Sequence, residues 1–296
     1  MKTTFFRLFL LTSGLALFAS CGNGEGDDKQ QVDKEIIDPN QSLNTNFDGK
    51  IFSIPSPVQT ALLIKQANLP FNQDLLNPIE NASNYSTEYK QALNLGIYGT
   101  DLGYSSLYEQ KSVSLKYLSV VEKLTGQLGL EKAFDKKFMS RFEKNSDNQD
   151  SVMMIVSDAF RKADNFLKSS NRKSTSALIL TGGWIESLYF ACELNKTKEN
   201  QKIIERIGEQ QQTLYTIIDI LKEYNKSNTN NDLIQDLEDL RFFFDKVIID
   251  YQFVEPKTDS KNKITTLQHD ISVRIDTDVL NQITLKVRSI RENILN

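Results

Sequence analysis

The stretch Ile203-Ile204-Glu205-Arg206-Ile207-Gly208-Glu209-Gln210-Gln211-Gln212-Thr213-Leu214-Tyr215-Thr216-Ile217-Ile218-Asp219-Ile220-Leu221 decides the fold class. Along it Ile204, Ile207, Gln211, Leu214, Ile218 and Leu221 step by 3, 4, 3, 4 and 3, the repeat of a helix that turns one stripe inward. A second run follows, in which Leu233, Leu237, Leu240, Phe244, Val247 and Tyr251 step by 4, 3, 4, 3 and 4. The residues between them, Lys226-Ser227-Asn228-Thr229-Asn230-Asn231, are all loop formers. A connector this short makes the two helices antiparallel neighbours. Gln211, polar within an apolar seam, is expected to fix the register of the pair rather than to bind a ligand.

The same periodicity extends in both directions. Upstream, Val152, Val156, Ala159, Phe160, Ala163, Phe166 and Leu167 share one helical stripe, and so do Leu130, Phe134, Phe138 and Phe142. Ser56-Pro57-Val58-Gln59 reads as a helix start, with Ser as the cap and Pro at the first helical position. Downstream, Pro256 is expected to end the hairpin and 257–263 to be a polar linker. The segment Leu267–Ile275 fits either a strand or a helix. Asp276 or Thr277 can cap a last helix whose stripe is Leu280, Ile283, Val287, Ile290 and Ile294. The expectation is an all-α bundle of antiparallel helical hairpins, about nine helices in one domain over residues 51–296, with one short extended segment near 267–275. Only 6 Pro and 13 Gly in 296 residues agree with few turns. The tetratricopeptide pattern does not repeat: Gly99 stands where that repeat needs Tyr after Leu95-Gly96.

The N-terminus reads as an address. Lys2 and Arg7 precede an apolar run from Leu8 to Ser20, 13 residues long, too short for a bilayer span of about 20 residues and of the size of a secretory core. It ends in Leu17-Phe18-Ala19-Ser20-Cys21. Small residues before a Cys at this place resemble the lipobox of bacterial lipoproteins. The resemblance implies a signal peptide over 1–20, lipidation of Cys21 (palmitate among the acyl chains) and, with Gly22 after the Cys, the outer membrane. Residues 21–50 carry few large apolar side chains and are expected to form a flexible acidic tether with a root-mean-square span of about 30 Å. Loss of Lys2 and Arg7 leaves 33 bases against 39 acids, so no nucleic-acid partner is expected. The partners expected are the membrane, through the lipid, and an envelope protein or a small ligand.

Composition excludes several chemistries. One His and two Cys cannot build a paired Glu-x-x-His di-iron site, an H-E-x-x-H zinc site or a four-ligand structural zinc site. No G-x-S-x-G elbow, P-loop or dinucleotide fingerprint is present. His269 reads as a surface or capping residue and Cys192 as a small buried hydrophobe. Lys136-Lys137 and Arg288/Arg291 read as solvated faces. No catalytic residue, metal or cofactor is assigned.

One place breaks the local rules. Between Ser86 and Gln110 the small residues Ala92, Gly96, Gly99 and Gly103 form a stripe flanked by Tyr98, Tyr104 and Tyr108, with Asp101 among them. Between Lys173 and Leu194 stands Gly182-Gly183-Trp184-Ile185-Glu186, with the only Trp of the chain and a lone acid in an apolar run. Each helical Gly forfeits about 1 kcal/mol relative to Ala, so the two helices are expected to touch through them. One reading is close packing alone. Another is a ligand cleft lined by Tyr98, Asp101, Tyr104, Trp184 and Glu186. A third is an envelope hydrolase that uses Asp101 and Glu186 as a carboxylate pair.

The segments Ile54-Pro55-Ser56-Pro57, Leu95-Gly96-Ile97-Tyr98-Gly99-Thr100-Asp101-Leu102, Gly182-Gly183-Trp184-Ile185-Glu186 and Val287-Arg288-Ser289-Ile290-Arg291 give the body a resemblance to helical lipoproteins of unassigned activity from Bacteroidetes-type bacteria. That resemblance implies a fold and a compartment and transfers no functional residue. The function expected is a non-enzymatic binding or assembly module anchored in the cell envelope.

Overall fold

The computed structural model describes residues 43–47, 50–54, 57–132, 134, 136–146, 148–261 and 264–296. Cys21, the expected signal segment and most of the expected tether lie outside the described residues, as does the expected cap Ser56. The last part of the expected tether is ordered: β1 (Leu43–Phe47) pairs antiparallel with β2 (Lys50–Ile54).

Nine α-helices follow among the described residues. They are α1 (Pro57–Gln66), α2 (Glu88–Leu107), α3 (Lys111–Gln127), α4 (Lys136–Lys144), α5 (Gln149–Ser169), α6 (Lys173–Thr197), α7 (Gln201–Glu223), α8 (Asn231–Phe244) and α9 (Thr277–Leu295). Between α8 and α9 run β3 (Ile248–Asp259) and β4 (Ile264–Arg274), a second two-stranded antiparallel sheet. The fold is an all-α bundle with short extended pieces. Capping follows the sequence: Thr87, Asn148, Asn200 and Asp276 each accept a backbone N–H at the start of α2, α5, α7 and α9.

Helices α2 and α6 form the centre. From Ala92 to Leu107 every residue of α2 is buried. Such a helix is covered on all sides, which is why it shows no single apolar stripe. Around α6 pack α1, α2, α5, α7 and α9. This helix is long and apolar enough to cross a membrane, yet 78% of its apolar window is buried inside the bundle.

Two expectations need correction. The α8 helix ends at Phe244, and Tyr251 lies on the exposed strand β3 rather than on a helical stripe. Ile248, Ile249, Tyr251, Phe253 and Val254 are strand formers, and Gln211 Nε2 donates to the carbonyls of Phe244 and Val247 at the point where the helix stops. Gln211 thus ties α7 to the end of α8, across the pair it is expected to register. Of the expected linker 257–263, residues 257–259 end β3 and 260–261 form a turn, while 262–263 lie outside the described residues; the ambiguous stretch before Ile275 is a strand. The second correction concerns α4, which begins only at Lys136; Leu130 and Phe134 are buried in the connection before it.

Candidate functional site

The two Gly-bearing helices touch at the glycines. A Cβ on Gly96 would lie 2.1 Å from the carbonyl oxygen of Ile179 and 2.5 Å from the nitrogen of Gly183. A Cβ on Gly182 would lie 1.9 Å from the carbonyl oxygen of Leu93. Those are backbone atoms, so α2 and α6 approach as closely as main chains allow. The Thr100 hydroxyl sits 3.1 Å from the Gly96 carbonyl and 3.2 Å from that of Gly183, one proton serving both helices. Gly99 does not belong to this contact. The ring of Phe160 on α5 fills the space where its Cβ would be, at 2.1 Å. One stripe of small residues therefore admits two different neighbours.

Asp101 and Glu186 meet in the core, and both are 0% exposed. Glu186 is held in a fork by Arg291 of α9, with Nε 2.6 Å from Oε2 and Nη2 2.7 Å from Oε1. The guanidinium also donates to the Leu75 carbonyl at 2.8 Å and lies over the Tyr189 ring, 4.2 Å from its centroid. Asp101 Oδ2 accepts the backbone N–H of Asn77 at 3.2 Å, while Oδ1 has no donor. Burial pushes the Asp101 carboxyl well above the usual carboxylate range, the Glu186 charge pushes it further, and Arg291 only partly opposes them. Two acids share one base. The neutral arrangement is an Arg291–Glu186 ion pair beside a protonated Asp101, whose proton Glu186 can accept.

The other expected site residues point elsewhere. Tyr98 donates to the Pro78 carbonyl at 2.7 Å and tilts against Tyr85 and Tyr117. Tyr104 accepts the Asn72 N–H at 3.1 Å and stacks on Phe71. Trp184 donates from Nε1 to Gln210 on α7 at 3.0 Å. Two residues along a helix is a rotation of about 200°, so Trp184 and Glu186 face opposite ways. Beside Trp184 a shallow recess, lined by Thr60, Ser187, Arg206 and Gln210 among others, has room for about one water. All five residues are buried, and of them only Asp101 and Glu186 share their surroundings.

What unites Asp101, Arg291 and the tyrosines is the segment between α1 and α2, whose only helical pieces are two short 3₁₀ turns, Gln73–Leu75 and Ile79–Ser83. Its backbone would be unsatisfied inside the core without side-chain partners. Tyr108 donates to Leu69 O, Tyr117 to Asn77 O and Tyr98 to Pro78 O, at 2.7, 2.9 and 2.7 Å. Tyr104, Asp101 and Arg291 serve Asn72 N, Asn77 N and Leu75 O. Asn94 bridges the Lys90 and Ile294 carbonyls, joining α2 to α9. The chemistry that stands out in the sequence is spent on holding this segment.

Arg291 was expected on a solvated face and is 7% exposed. The signal is visible in retrospect: Arg291 follows Val287 by four and precedes Ile294 by three, within the buried stripe of α9. Arg288, one turn earlier, pairs with Glu193 at the surface. Cys192 is buried, and desolvation pushes its thiol up to about 12, which fits an inert packing residue. Among the described residues no group of three or more His, Cys, Asp or Glu could hold a metal ion.

The surface offers a different candidate. Strand β3 is exposed along its whole length. On it Tyr251 and Phe253 are 61% and 74% exposed, and Ile264 at the start of β4 is 58% exposed. At the base of the ribbon Val273 is buried and packs where a Cβ on Gly208 of α7 would be. Pairing sets Ile249 opposite Val273, Tyr251 opposite Ile271 and Phe253 opposite His269. With a side-chain period of two, Ile249, Tyr251 and Phe253 continue the face that Val273 begins, out beyond the helices. Sequence reasoning missed this element because it assigned Tyr251 to a helix; the run Ile248-Ile249-Asp250-Tyr251-Gln252-Phe253-Val254 carries the strand signal. The chain matches no protein-family model, no curated protein and no solved structure.

Proposed function

We propose that this chain is a lipid-anchored, non-enzymatic binding or assembly module of the cell envelope, and that the β3–β4 ribbon is the element that grips its partner. The observation that carries the reading is that six of the eight exposed large apolar side chains among the described residues lie on the ribbon, Ile249, Tyr251 and Phe253 on one face and Ile248, Val254 and Ile264 on the other. Exposed apolar surface on one continuous element marks an interaction site. Aromatic residues are also the ones that supply most binding energy at interfaces. The sealed carboxylate pair supports the same reading from the other side, since both acids are committed to Arg291 and the backbone of 69–85.

The anchor rests on the lipobox resemblance at Cys21. Cys21→Ser should abolish metabolic labelling with palmitate. The ribbon is tested in cells by placing a photo-crosslinking residue at Phe253 and, as a control, at the exposed Lys123 of α3. Discrete adducts from position 253, to another protein or to a second copy of this chain, and none from 123 are expected. Equal labelling from the two positions, or none from 253, overturns the ribbon as the gripping element.

A further inference from the structure

We infer that the outer edge of β4 pairs with the same edge of a second copy of this chain, making one four-stranded antiparallel sheet from two ribbons. This rests on the reading of the ribbon as an interaction element and names the partner that its edge fits.

The argument begins with the unpaired backbone. Each of the two strands has one neighbour, so the outer edge of each presents N–H and C=O groups that no strand satisfies among the described residues. A two-stranded ribbon is marginal in water by itself, and a third or fourth strand with an apolar face stabilises it. The two edges differ. On β3 the register shifts between Val254 and Lys257, and Pro256 within that shift has no N–H to give. Bulges and prolines are the usual guards of a strand edge. Strand β4 has neither: Ile264 to Arg274 contains no Pro and no Lys, and its charges are Asp270 and Arg274. Arg274 is already paired across the ribbon with Asp250 at 2.7 Å. One edge is guarded and the other is open.

The occupant is identified by charge and by symmetry. From Ile248 to Arg274 the ribbon carries four acids (Asp250, Glu255, Asp259, Asp270) and four bases (Lys257, Lys261, Lys263, Arg274). That balance gives no attraction to anionic lipid or nucleic acid. Lipid also cannot satisfy an open strand edge. A strand can, and β4 is complementary to itself. A twofold axis at His269 overlaps the whole strand and sets Leu267 against Ile271, Gln268 against Asp270, Thr266 against Ser272, and Ile264 against Arg274. No pair in that register sets like formal charges opposite each other when His269 is neutral. The register also keeps each strand's inward parity, so the apolar face with Tyr251 and Phe253 is doubled and not turned over.

The test is the mass of the full chain by sedimentation equilibrium, with two variants that differ at one residue. Thr266 and Ser272 are exposed and opposite each other across the axis. Thr266→Glu/Ser272→Lys sets opposite charges together twice and should remain at twice the 33.8 kDa of one chain. Thr266→Glu/Ser272→Glu sets like charges together twice and should raise the dissociation constant of the dimer at least about tenfold. Far-UV circular dichroism, dominated by the helices, should be the same for all three proteins and shows that neither variant has unfolded. A wild-type chain that stays at 33.8 kDa up to 100 μM overturns the inference. So does a dimer that both variants keep, or that both lose. Crosslinks from position 253 to other proteins, with a monomeric chain, would leave the proposed function standing and this inference refuted.

Discussion

Arg291→Met is the most informative single change. Methionine retains much of the length and volume of the side chain but removes the guanidinium that forks Glu186, serves the Leu75 carbonyl and lies over Tyr189. The variant leaves two buried acids with no base. Breaking one side of a buried pair costs about 3–5 kcal/mol, a large part of the roughly 5–15 kcal/mol that keeps a domain folded. The urea midpoint at pH 7 should fall with an unchanged slope. Adding Glu186→Gln to the variant removes the orphaned charge and should restore most of the loss. The coupling between the two sites, taken from the double-mutant cycle, should reach at least about 2 kcal/mol. If Arg291→Met costs less than about 1 kcal/mol, the guanidinium is not compensating a buried charge and the account of the core is wrong.

Other outcomes follow from the same structure. Asp101 has a folded pKa raised above its unfolded value, so its contribution is full below about pH 4 and is lost as pH rises through the folded value. Asp101→Asn should therefore match wild type near pH 4 and exceed its stability at pH 7 by about 1 kcal/mol or more, measured by urea unfolding across that range. Gly182→Ala puts a methyl 1.9 Å from the Leu93 carbonyl; overpacking of about 1–3 kcal/mol should exceed the gain of about 1 kcal/mol in helix propensity, and calorimetry should show a lower melting temperature. Gly126→Ala, where a Cβ meets nothing within 4 Å, should raise it. Replacing residues 252–270 by a short turn should leave the melting temperature of the helical body within a degree or two, because β3 is exposed throughout and the ribbon's anchor, Val273, is kept.

The fold was largely legible because most helices of this protein are amphipathic, and amphipathic helices write their period into the chain. The stripes of α5, α7 and α9 appear in the core as read: Val152, Val156 and Leu167, then Ile207, Leu214 and Ile218, then Ile283, Val287 and Ile290. The central helices were found by their anomalies. Glycines that forfeit helix propensity imply a close neighbour, and Gly96 and Gly182 have one. The ribbon was the failure. Phe244, Val247 and Tyr251 continue the helical spacing by coincidence, and only strand propensity and the Gln211 contacts at Phe244 end the helix there. For the candidate site, the sequence could show that Asp101 and Glu186 lie on helices that touch, since the glycines require it. It could not show Arg291, whose distance along the chain hides a contact that only the assembled bundle creates. Nor could the same glycines predict that Gly99 would turn to Phe160 instead of α6.

The separation between Glu186 and Arg291 sets an order of events in time. The pair spans 105 residues, and the bond from Arg291 to Leu75 spans 216. A ribosome that has made α2 and α6 has made both acids and all the glycine surfaces, but not yet their cation. At that stage the central helices can meet only by leaving Glu186 and Asp101 in water or by carrying two protons between them. The 69–85 segment likewise lacks the donor for its Leu75 carbonyl. Contacts so remote in sequence slow folding, because a long loop must close before they contribute. The nascent chain should therefore remain loosely assembled and protease-sensitive until α9 has emerged, and then close in one late step.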